Sequence, residues 1–399
     1  MHLTVLLIGN RLKLQQVTPL GHLLGPITPE VPSQPPLAGW FSYRAAIPQI
    51  SGHAKTYVLS SEGAKNPGGK GITYNLESAS YGTWKGGGLD VYLGDVGYPE
   101  LYVRFYAKYD PSTFHWGTIV PNFGKQKMAR ISRLKIPPSL TDNPQIFLGT
   151  DPGNQTPTFY PDWFNNPAYN TPPSINPIHF DGLHVFDPGA GNAIEDDQWQ
   201  IPWPSDGQWH CYEYRVKMND TPGVATGGEW EFWIDGQVDT GHHKLATGLA
   251  WVGSTGSTAP GWNWVTVLDN ASIQPDSAFT NAVMKIFMDD VVISTHYSGP
   301  PPSPTSVTVQ STTAATAQLS WTAGTSTVQY FLSGYRVYYG TSPNSLGQSV
   351  TLGTNLNTTI NGLTSGQTYY FKVTAVNLAT YDVDENESLP SEVVSVLVN

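Results

Sequence analysis

The run Leu101-Tyr-Val-Arg-Phe-Tyr-Ala-Lys-Tyr109 alternates strictly. Its odd positions, Leu101, Val103, Phe105, Ala107 and Tyr109, are apolar, and its even positions, Tyr102, Arg104, Tyr106 and Lys108, are amphipathic. Successive side chains of a strand point to opposite faces, so a period of two marks a half-buried strand and argues against a helix. The same period recurs in Tyr212/Tyr214/Val216/Met218 against Glu213/Arg215/Lys217, and in Trp230/Phe232/Ile234 against Glu231/Trp233/Asp235. Asp235-Gly236 then supplies a tight hairpin turn. Met284 to Ser294 begins with alternation and shifts phase at Asp289-Asp290, which predicts a bulge or an outward carboxylate pair. Composition agrees. The 399 residues hold 40 glycines, 33 prolines and 12% aromatics but only 13% charged residues, which favours strands and turns over helices.

The length suggests more than one core, since single domains stop growing at roughly 250–300 residues. The boundary falls at Gly299-Pro-Pro-Pro-Ser-Pro304, a semi-rigid spacer followed by a Thr-, Ser- and Val-rich stretch with renewed alternation. The reading is a Pro-rich N-terminal arm over 1–38, a large β domain over 39–298, a linker over 299–304 and a smaller sandwich over 305–399. The arm rests on Gly25 to Pro36, whose prolines hold polyproline II, although a trimmed or shifted start would also fit. Met1 to Gly9 has a short apolar run without a preceding basic region or a small-residue cleavage site, so it does not read as a clear signal peptide.

The formal net charge of −11 leaves no basic excess to replace nucleic-acid counterions. No stretch approaches the roughly 20 apolar residues of a membrane span. The single cysteine, Cys211, rules out an intrachain disulfide and a cysteine-based zinc site, and leaves the compartment open. The local charge map says more. From Arg104 to Lys135 seven basic residues face one acid, Asp110, whereas the rest of the chain is strongly acidic. A positive patch on an acidic chain points to an anionic ligand, for which a polyuronate qualifies.

Trp321, Gly334-Tyr-Arg-Val-Tyr-Tyr339 and Leu363-Thr-Ser-Gly-Gln-Thr-Tyr-Tyr-Phe-Lys-Val-Thr-Ala-Val-Asn377 resemble a fibronectin type III domain across its whole length. The resemblance implies a seven-stranded Ig-like sandwich, with Trp321 as core tryptophan of the second strand and Tyr369 as the tyrosine corner. In the larger part, Pro99 to Lys108, Gly124 to Arg130, Trp209 to Asn219, Glu231 to Gly236 and Ile286 to Ser294 resemble the concanavalin A-like lectin/glucanase sandwich, especially its polysaccharide-lyase-like branches. The implied fold is all-β: a large antiparallel jelly roll followed by the fibronectin type III sandwich.

A glucanase of that family would carry a Glu-x-Asp-x-(x)-Glu strand. Glu229-Trp-Glu231 is the nearest approach and lacks the central Asp. Lyase chemistry on a polyuronate removes a proton α to a carboxylate, so it needs a cation to stabilise the enolate and a Tyr or His to move protons. The candidates for that chemistry are Tyr106, Lys125, Arg130, His179 and His184, with the resemblance implying that Gly124 to Arg130 is a basic strand. Arg104, Lys108 and Lys127 are candidate contacts to the polymer's charge. Tyr160 and Trp163 are candidate stacking platforms within the Pro-, Asn- and aromatic-rich stretch Pro137 to Trp203, which reads as one long loop without evident secondary structure. Each has a competing reading: a solvated strand face for the cations, satisfied packing for the histidines, a lid for the rings. Asp289 and Asp290 are candidate ligands of a structural Ca²⁺, which the jelly-roll resemblance suggests on this late strand. His242-His243 is a weaker metal candidate.

Three functions follow from this reading. The first is an extracellular or surface-displayed carbohydrate-binding protein gripping a polysaccharide, with fibronectin type III as spacer. The second is a polysaccharide lyase. The third is a structural subunit of a virion or surface layer, assembling as a homo-oligomer through the arm.

Overall fold

The structure, a computed structural model, describes residues 4–8, 11–16, 22–23, 41–43, 57–66, 68–69, 71–77, 89–93, 97–110, 124–132, 145–151, 158–164, 185–186, 193–194, 201–202, 206–218, 227–239, 242–249, 261–268, 271–273, 283–326, 332–377 and 386–399. Among these the regular elements are strands, and the pairings are antiparallel. The chain forms two compact units, one of Met1–Phe232 with His243–Thr295, the other of Trp233–His242 with His296–Asn399.

The strands of the first unit are β1 (Thr4–Ile8), β2 (Arg11–Gln16), β3 (His22–Leu23), β4 (Phe41–Tyr43), β5 (Tyr57–Ser60), β6 (Gly71–Glu77), β7 (Leu89–Tyr92), β8 (Glu100–Tyr109), β9 (Gly124–Ser132), β10 (Gln145–Asp151), β11 (Thr158–Phe164), β12 (Val185–Phe186), β13 (Ala193–Ile194), β14 (Ile201–Pro202), β15 (His210–Lys217), β16 (Gly228–Ile234), β17 (His243–Leu249), β18 (Trp264–Val267), β19 (Ala271–Ile273) and β20 (Val283–Ser294). They build a ten-stranded sheet, ordered β17-β16-β15-β8-β20-β1-β2-β3 with β6 and β5 joined beside β20, and an eight-stranded sheet, ordered β14-β11-β10-β9-β18-β7-β4 with β19 on β9. Two stacked antiparallel sheets are the sandwich that the alternation predicted.

The apolar rows lie where the period of two puts them. Phe105, Tyr212 and Phe232 stack across β8, β15 and β16 at centroid separations of 5.5 and 6.5 Å, and Trp230 continues the ladder at 6.1 Å. The Tyr109 hydroxyl donates to Met128 Sδ at 3.1 Å, joining β8 of one sheet to β9 of the other through the core. The other face of β8 departs from expectation. Only Tyr106, Lys108 and Glu100 of the strand are half-buried, and Arg104 is 0% exposed. The strand is covered on both sides.

Two expectations are corrected. Residues 4–16 are not a free arm, because β1 pairs with both β2 and β20 and so extends the ten-stranded sheet. The Pro-rich stretch 25–36 lies outside the described residues. The stretch 137–203 is not one long loop, since it contributes β10 and β11, paired over seven residues each, as well as β12, β13 and β14. Its proline density hides these strands in the sequence. Pro161 is tolerated within β11 because β14 pairs only with Thr158 and Phe159, and a proline suits a position where no ladder hydrogen bond is asked of its nitrogen.

The phase shift at Asp289-Asp290 is a bulge. The register of β20 on β8 jumps between Asp289 and Val292, and Asp290 adopts φ of 48°. Asp235 and Gly236 both have positive φ, 53° and 67°, as a primed turn requires, and Gln237 N–H closes the turn onto Ile234 O at 3.1 Å. A Cβ on Gly236 would stand 2.3 Å from Pro300 O, so no larger residue fits.

The second unit holds β21 (Thr305–Gln310), β22 (Thr316–Thr322), β23 (Gly334–Gly340), β24 (Gln348–Leu352), β25 (Asn357–Asn361), β26 (Thr368–Asn377), β27 (Asn386–Glu387) and β28 (Val394–Leu397). β21-β22-β25 form one sheet, and β24-β23-β26 with β27 and β28 form the other. Trp321 is 5% exposed and meets Tyr335 edge-on at 5.3 Å in a core with Leu319, Val337, Phe371 and Val373. Tyr369 is the expected corner, since its hydroxyl accepts the Thr364 N–H at 3.4 Å. The segment Gly299–Pro302 is buried: Tyr297 donates to Pro300 O at 2.8 Å and Asn377 Nδ2 to Gly299 O at 3.5 Å.

Candidate functional site

The amphipathic face of β8 carries charge into a buried setting. Cross-strand register sets Arg104 opposite Glu213, Tyr102 opposite Arg215 and Tyr106 opposite Cys211 on β15. Arg215 gathers three carboxylates, with Nε to Glu100 Oε1 at 2.5 Å, Nη2 to Glu229 Oε2 at 2.6 Å and Nη1 to Glu231 Oε2 at 2.8 Å. Lys217 reaches the other oxygen of Glu229 at 3.0 Å, and His243 Nε2 meets Glu231 Oε1 at 2.8 Å. Alternation along β15 and β16 puts these groups on one face, and the sheet order brings the strands together. Burial pushes Glu229 up, but Lys217 and Arg215 outweigh it and hold the carboxyl below its usual range. Burial works against the Arg215 charge, and its carboxylate partners, Glu100 first, nonetheless raise its pKa. The Glu229 carboxylate is thus held ionised by cations, which is the state of a structural ion network and not of a proton donor.

A second cluster surrounds the β20 bulge. Lys65, in the turn between β5 and β6, donates its N–H to Asp289 Oδ2 at 2.9 Å, while its ammonium lies 2.5 Å from Asp290 Oδ2 and 3.8 Å from the Tyr106 ring centroid. Arg104 Nη2 donates to Asp290 O at 3.3 Å. Asp289 Oδ1 accepts the Asp290 N–H at 2.9 Å. Burial raises Asp289 to about 6, against the lowering by the Lys65 N–H and with a further push from the Asp290 charge. A lysine ammonium already sits against Asp290, and among the described residues no group of three or more His, Cys, Asp or Glu converges. His242 pairs with Asp239 at 2.9 Å, and His243 with Glu231 as above.

The sequence-derived candidates separate accordingly. Arg104 is 0% exposed, contrary to its expected place on an open strand face, and its guanidinium donates to Asp290 O at the β20 bulge. Burial lifts the Tyr106 hydroxyl well above its ordinary value, with Cys211 adding to the rise and Arg104 opposing it, so it remains protonated at neutral pH. Lys108 is half-buried between the rings of Phe287 at 4.8 Å and Trp209 at 5.2 Å. His179 and His184 lie outside the described residues.

The remaining candidates share the eight-stranded sheet. β10 lies between β9 and β11, and the register aligns Lys127, Gly149 and Tyr160 in one cross-strand row. Neighbouring rows are Arg130–Phe147–Asp162 and Ile131–Ile146–Trp163. Lys125 stands opposite Ser272 of β19. The register slips by one residue between Leu148 and Gly149, next to the Lys127 row. Arg130 is half-buried and donates to Thr266 Oγ1 of β18 at 3.4 Å. The sheet thus collects Lys125, Lys127, Arg130, Tyr160 and Trp163 on adjacent strands and leaves Arg104, Tyr106 and Lys108 on the other sheet.

Sequence reasoning missed Lys65 and the ion-network role of Arg215 and His243. The alternation of Glu213/Arg215/Lys217 and the Glu229-x-Glu231 spacing already put like faces together. Lys65 is separated from Asp290 by more than two hundred residues and carries no local signal.

The fibronectin type III family model matches residues 301–393. Among solved structures, the sixth fibronectin type III domain of human fibronectin type III domain containing protein 3 is 25% identical, covering 26% of this chain and 89% of that one at a TM-score of 0.21. The marine PL-14 alginate lyase from Aplysia kurodai is 10% identical over 60% of this chain and 86% of that one at 0.40. The alginate lyase Aly36B, solved with an alginate tetrasaccharide, is 13% identical over 56% and 80% at 0.36. No curated protein matches the chain in a sequence search. The chain carries a C-terminal fibronectin type III domain, joined to a large all-β unit whose solved neighbours include alginate lyases.

Proposed function

We propose that this chain is a secreted or surface-displayed polysaccharide-binding protein that takes an anionic polymer across β9, β10 and β11 of the eight-stranded sheet. The observation that carries the reading is the row Lys127–Gly149–Tyr160. A glycine between a cation and a ring puts no side chain in the middle of the row. A lysine and a tyrosine in one row are the residue types that pair with a uronate's carboxylate and stack on its C–H face. Lys125, two positions along the same strand and so on the same face, extends the same chemistry to a neighbouring sugar. Lys125, Lys127 and Arg130 put three basic residues on β9 of an otherwise acidic chain, which draws a polyanion to this strand.

A second reading rests on the same row. A tyrosine and a lysine two strands apart are the groups β-elimination needs. A base takes the proton α to the uronate carboxylate, a cation stabilises the enolate, and the 4-linked glycosidic oxygen leaves with a proton, creating a carbon–carbon double bond. Carbohydrate recognition is common to both readings.

The test is retention of the full-length protein on immobilised alginate against a neutral β-glucan, with ultraviolet absorbance followed in parallel. Retention on alginate that weakens about tenfold or more in Lys127→Ala and in Tyr160→Ala, and falls with salt, is the expected result. Rising absorbance with shortening chains assigns the lyase, and Tyr160→Phe should then abolish turnover while keeping retention. Equal behaviour on both polymers overturns the proposal.

A further inference from the structure

We propose that the fibronectin type III domain is itself a second contact for the anionic polysaccharide, through the outer face of its β24-β23-β26-β28 sheet around Tyr338 and Lys372. The ligand class rests on the function proposed above. The location rests on separate observations.

Along β23, Tyr335 and Val337 point into the core, and along β26 Phe371, Val373 and Ala375 do the same. Alternation therefore turns Arg336 and Tyr338, and Tyr370 and Lys372, to the outside of one sheet. Register sets Tyr338 opposite Lys372, and Arg336 one row along, opposite Thr374. Arg336 and Lys372 are the only basic residues between 305 and 399, in a stretch with five acids. Both fall on this face. The other sheet's outer surface shows the contrast. There Thr308 bonds Ser320 at 2.8 Å and Gln310 bonds Gln318 at 3.4 Å, and neither a ring nor a charge is offered.

Glu387 lies on the same face and holds it rigid. Glu387 accepts from the Tyr338 hydroxyl at 2.8 Å and from Arg336 Nη1 at 3.1 Å, and Thr374 Oγ1 donates to it as well. Its charge is therefore spent on Arg336. Lys372 lies with its ammonium 5.3 Å from the Tyr338 ring centroid, and among the described residues no carboxylate forms an ion pair with it. A cation over a fixed ring, one strand from the ring's own anchor, is complementary to a uronate carboxylate. Tyr370 continues the platform two residues along β26, about 7 Å away, and its cross-strand neighbours Gly340 and Ser395 are too small to cover it. With the polymer also engaged by the large unit, one chain then makes two contacts, and the second event is intramolecular.

The experiment measures affinity of the full-length protein for alginate oligosaccharides and for long alginate, in wild type, Lys372→Ala, Lys372→Arg, Tyr338→Phe and Tyr338→Ala with Lys372→Ala. Each is made also in the Lys127→Ala/Tyr160→Ala background, with melting of the fibronectin domain recorded as a folding control. The expected result is about three- to tenfold weaker binding to long alginate for Lys372→Ala, restored by Lys372→Arg, and loss of the residual binding when both sites are substituted. If Lys127 and Tyr160 prove neutral while Lys372 matters, this inference stands and the sheet site in the large unit falls. Unchanged alginate binding in the Tyr338 and Lys372 variants in both backgrounds overturns the inference. So does sedimentation showing a dimer that Tyr338→Ala dissolves without any effect on alginate, which would give this face to a second copy of the chain.

Discussion

The strands β8 and β23 obey the same period of two and each carries an arginine on its non-core face, yet the two arginines live differently. Arg104 is 0% exposed, and Glu213 opposite it and Glu231 on β16 are each 1% exposed. The Arg336 side chain is 19% exposed, against 24% for its partner Glu387. In the ten-stranded sheet the charged face has been closed over and its charges neutralise one another. In the fibronectin domain the charged face is a half-open platform with one acid. Alternation therefore identifies faces, but it does not say what covers them. Which face is structural and which is available is decided by whether each ion finds opposite charge without solvent.

The comparison breaks most sharply at Arg215. Replacing it by Ala leaves Glu100, Glu229 and Glu231 without the cation that touches all three, and Glu231 is essentially inaccessible to water. Removing one partner of a buried pair typically costs about 3–5 kcal/mol. Urea unfolding of Arg215→Ala should show a loss of that size in the transition of the large unit. A loss under about 1 kcal/mol, the range of exposed pairs, would mean that the network is solvated and the contrast with the fibronectin face is false.

The next effect concerns the bulge and is read through pH. Asp289 titrates near 6 when folded against an ordinary value of 3.8, so the folded state binds its proton more tightly. Its favourable contribution is complete below about pH 3.8 and is lost as pH rises through about 6. Asp289→Asn cannot ionise and so escapes this loss. The stability of the variant relative to wild type should improve by about 1–3 kcal/mol between pH 4 and pH 7.5. A difference that stays flat across that window would show that Lys65 and the backbone donors fully compensate the charge.

These two clusters also mark how far the sequence could be read. The framework was legible because it is periodic: β8, β15, β16 and β20, the Asp235-Gly236 turn and the β20 bulge follow from local pattern, while Trp321 and the Tyr369 corner came with the fibronectin type III resemblance. β10 and β11 were not, because Pro161 and the surrounding Pro and Asn residues carry loop chemistry, and only the pairing of seven residues on each side makes strands of them. The candidate basic strand was legible as charge. Its alignment with Tyr160 was not, since register between β9, β10 and β11 is a non-local property set by a slip at Leu148/Gly149. The closure of Lys65 onto Asp289, Asp290 and Tyr106 spans the sequence and leaves no short-range signal.

In the fibronectin domain the expected effects are smaller. Tyr369→Phe removes a hydroxyl that accepts one backbone N–H at 3.4 Å and keeps the ring beside Phe371 at 6.5 Å. The loss should be about 0.5–1.5 kcal/mol, measured on the fibronectin transition. A loss beyond that range would indicate that the corner supports the packing of Leu363 and not only the turn at Thr364.

The smallest effect is expected at Arg336, and it sharpens the contrast with Arg215 directly. Arg336→Ala removes one of three donors to Glu387, while the Tyr338 hydroxyl and Thr374 Oγ1 continue to donate. Glu387 is also partly wet, so water can replace the guanidinium. The stability change should stay below about 1 kcal/mol. A double-mutant cycle with Glu387→Gln should give a coupling of the same order, because the amide still accepts from Tyr338. The corresponding cycle between Arg215 and Glu231 should give a coupling several times larger, since Glu231 is 1% exposed and water cannot replace the guanidinium there. Equal couplings in the two cycles would mean that burial does not distinguish the faces. The Arg336 platform would then be as structural as the Arg104 face.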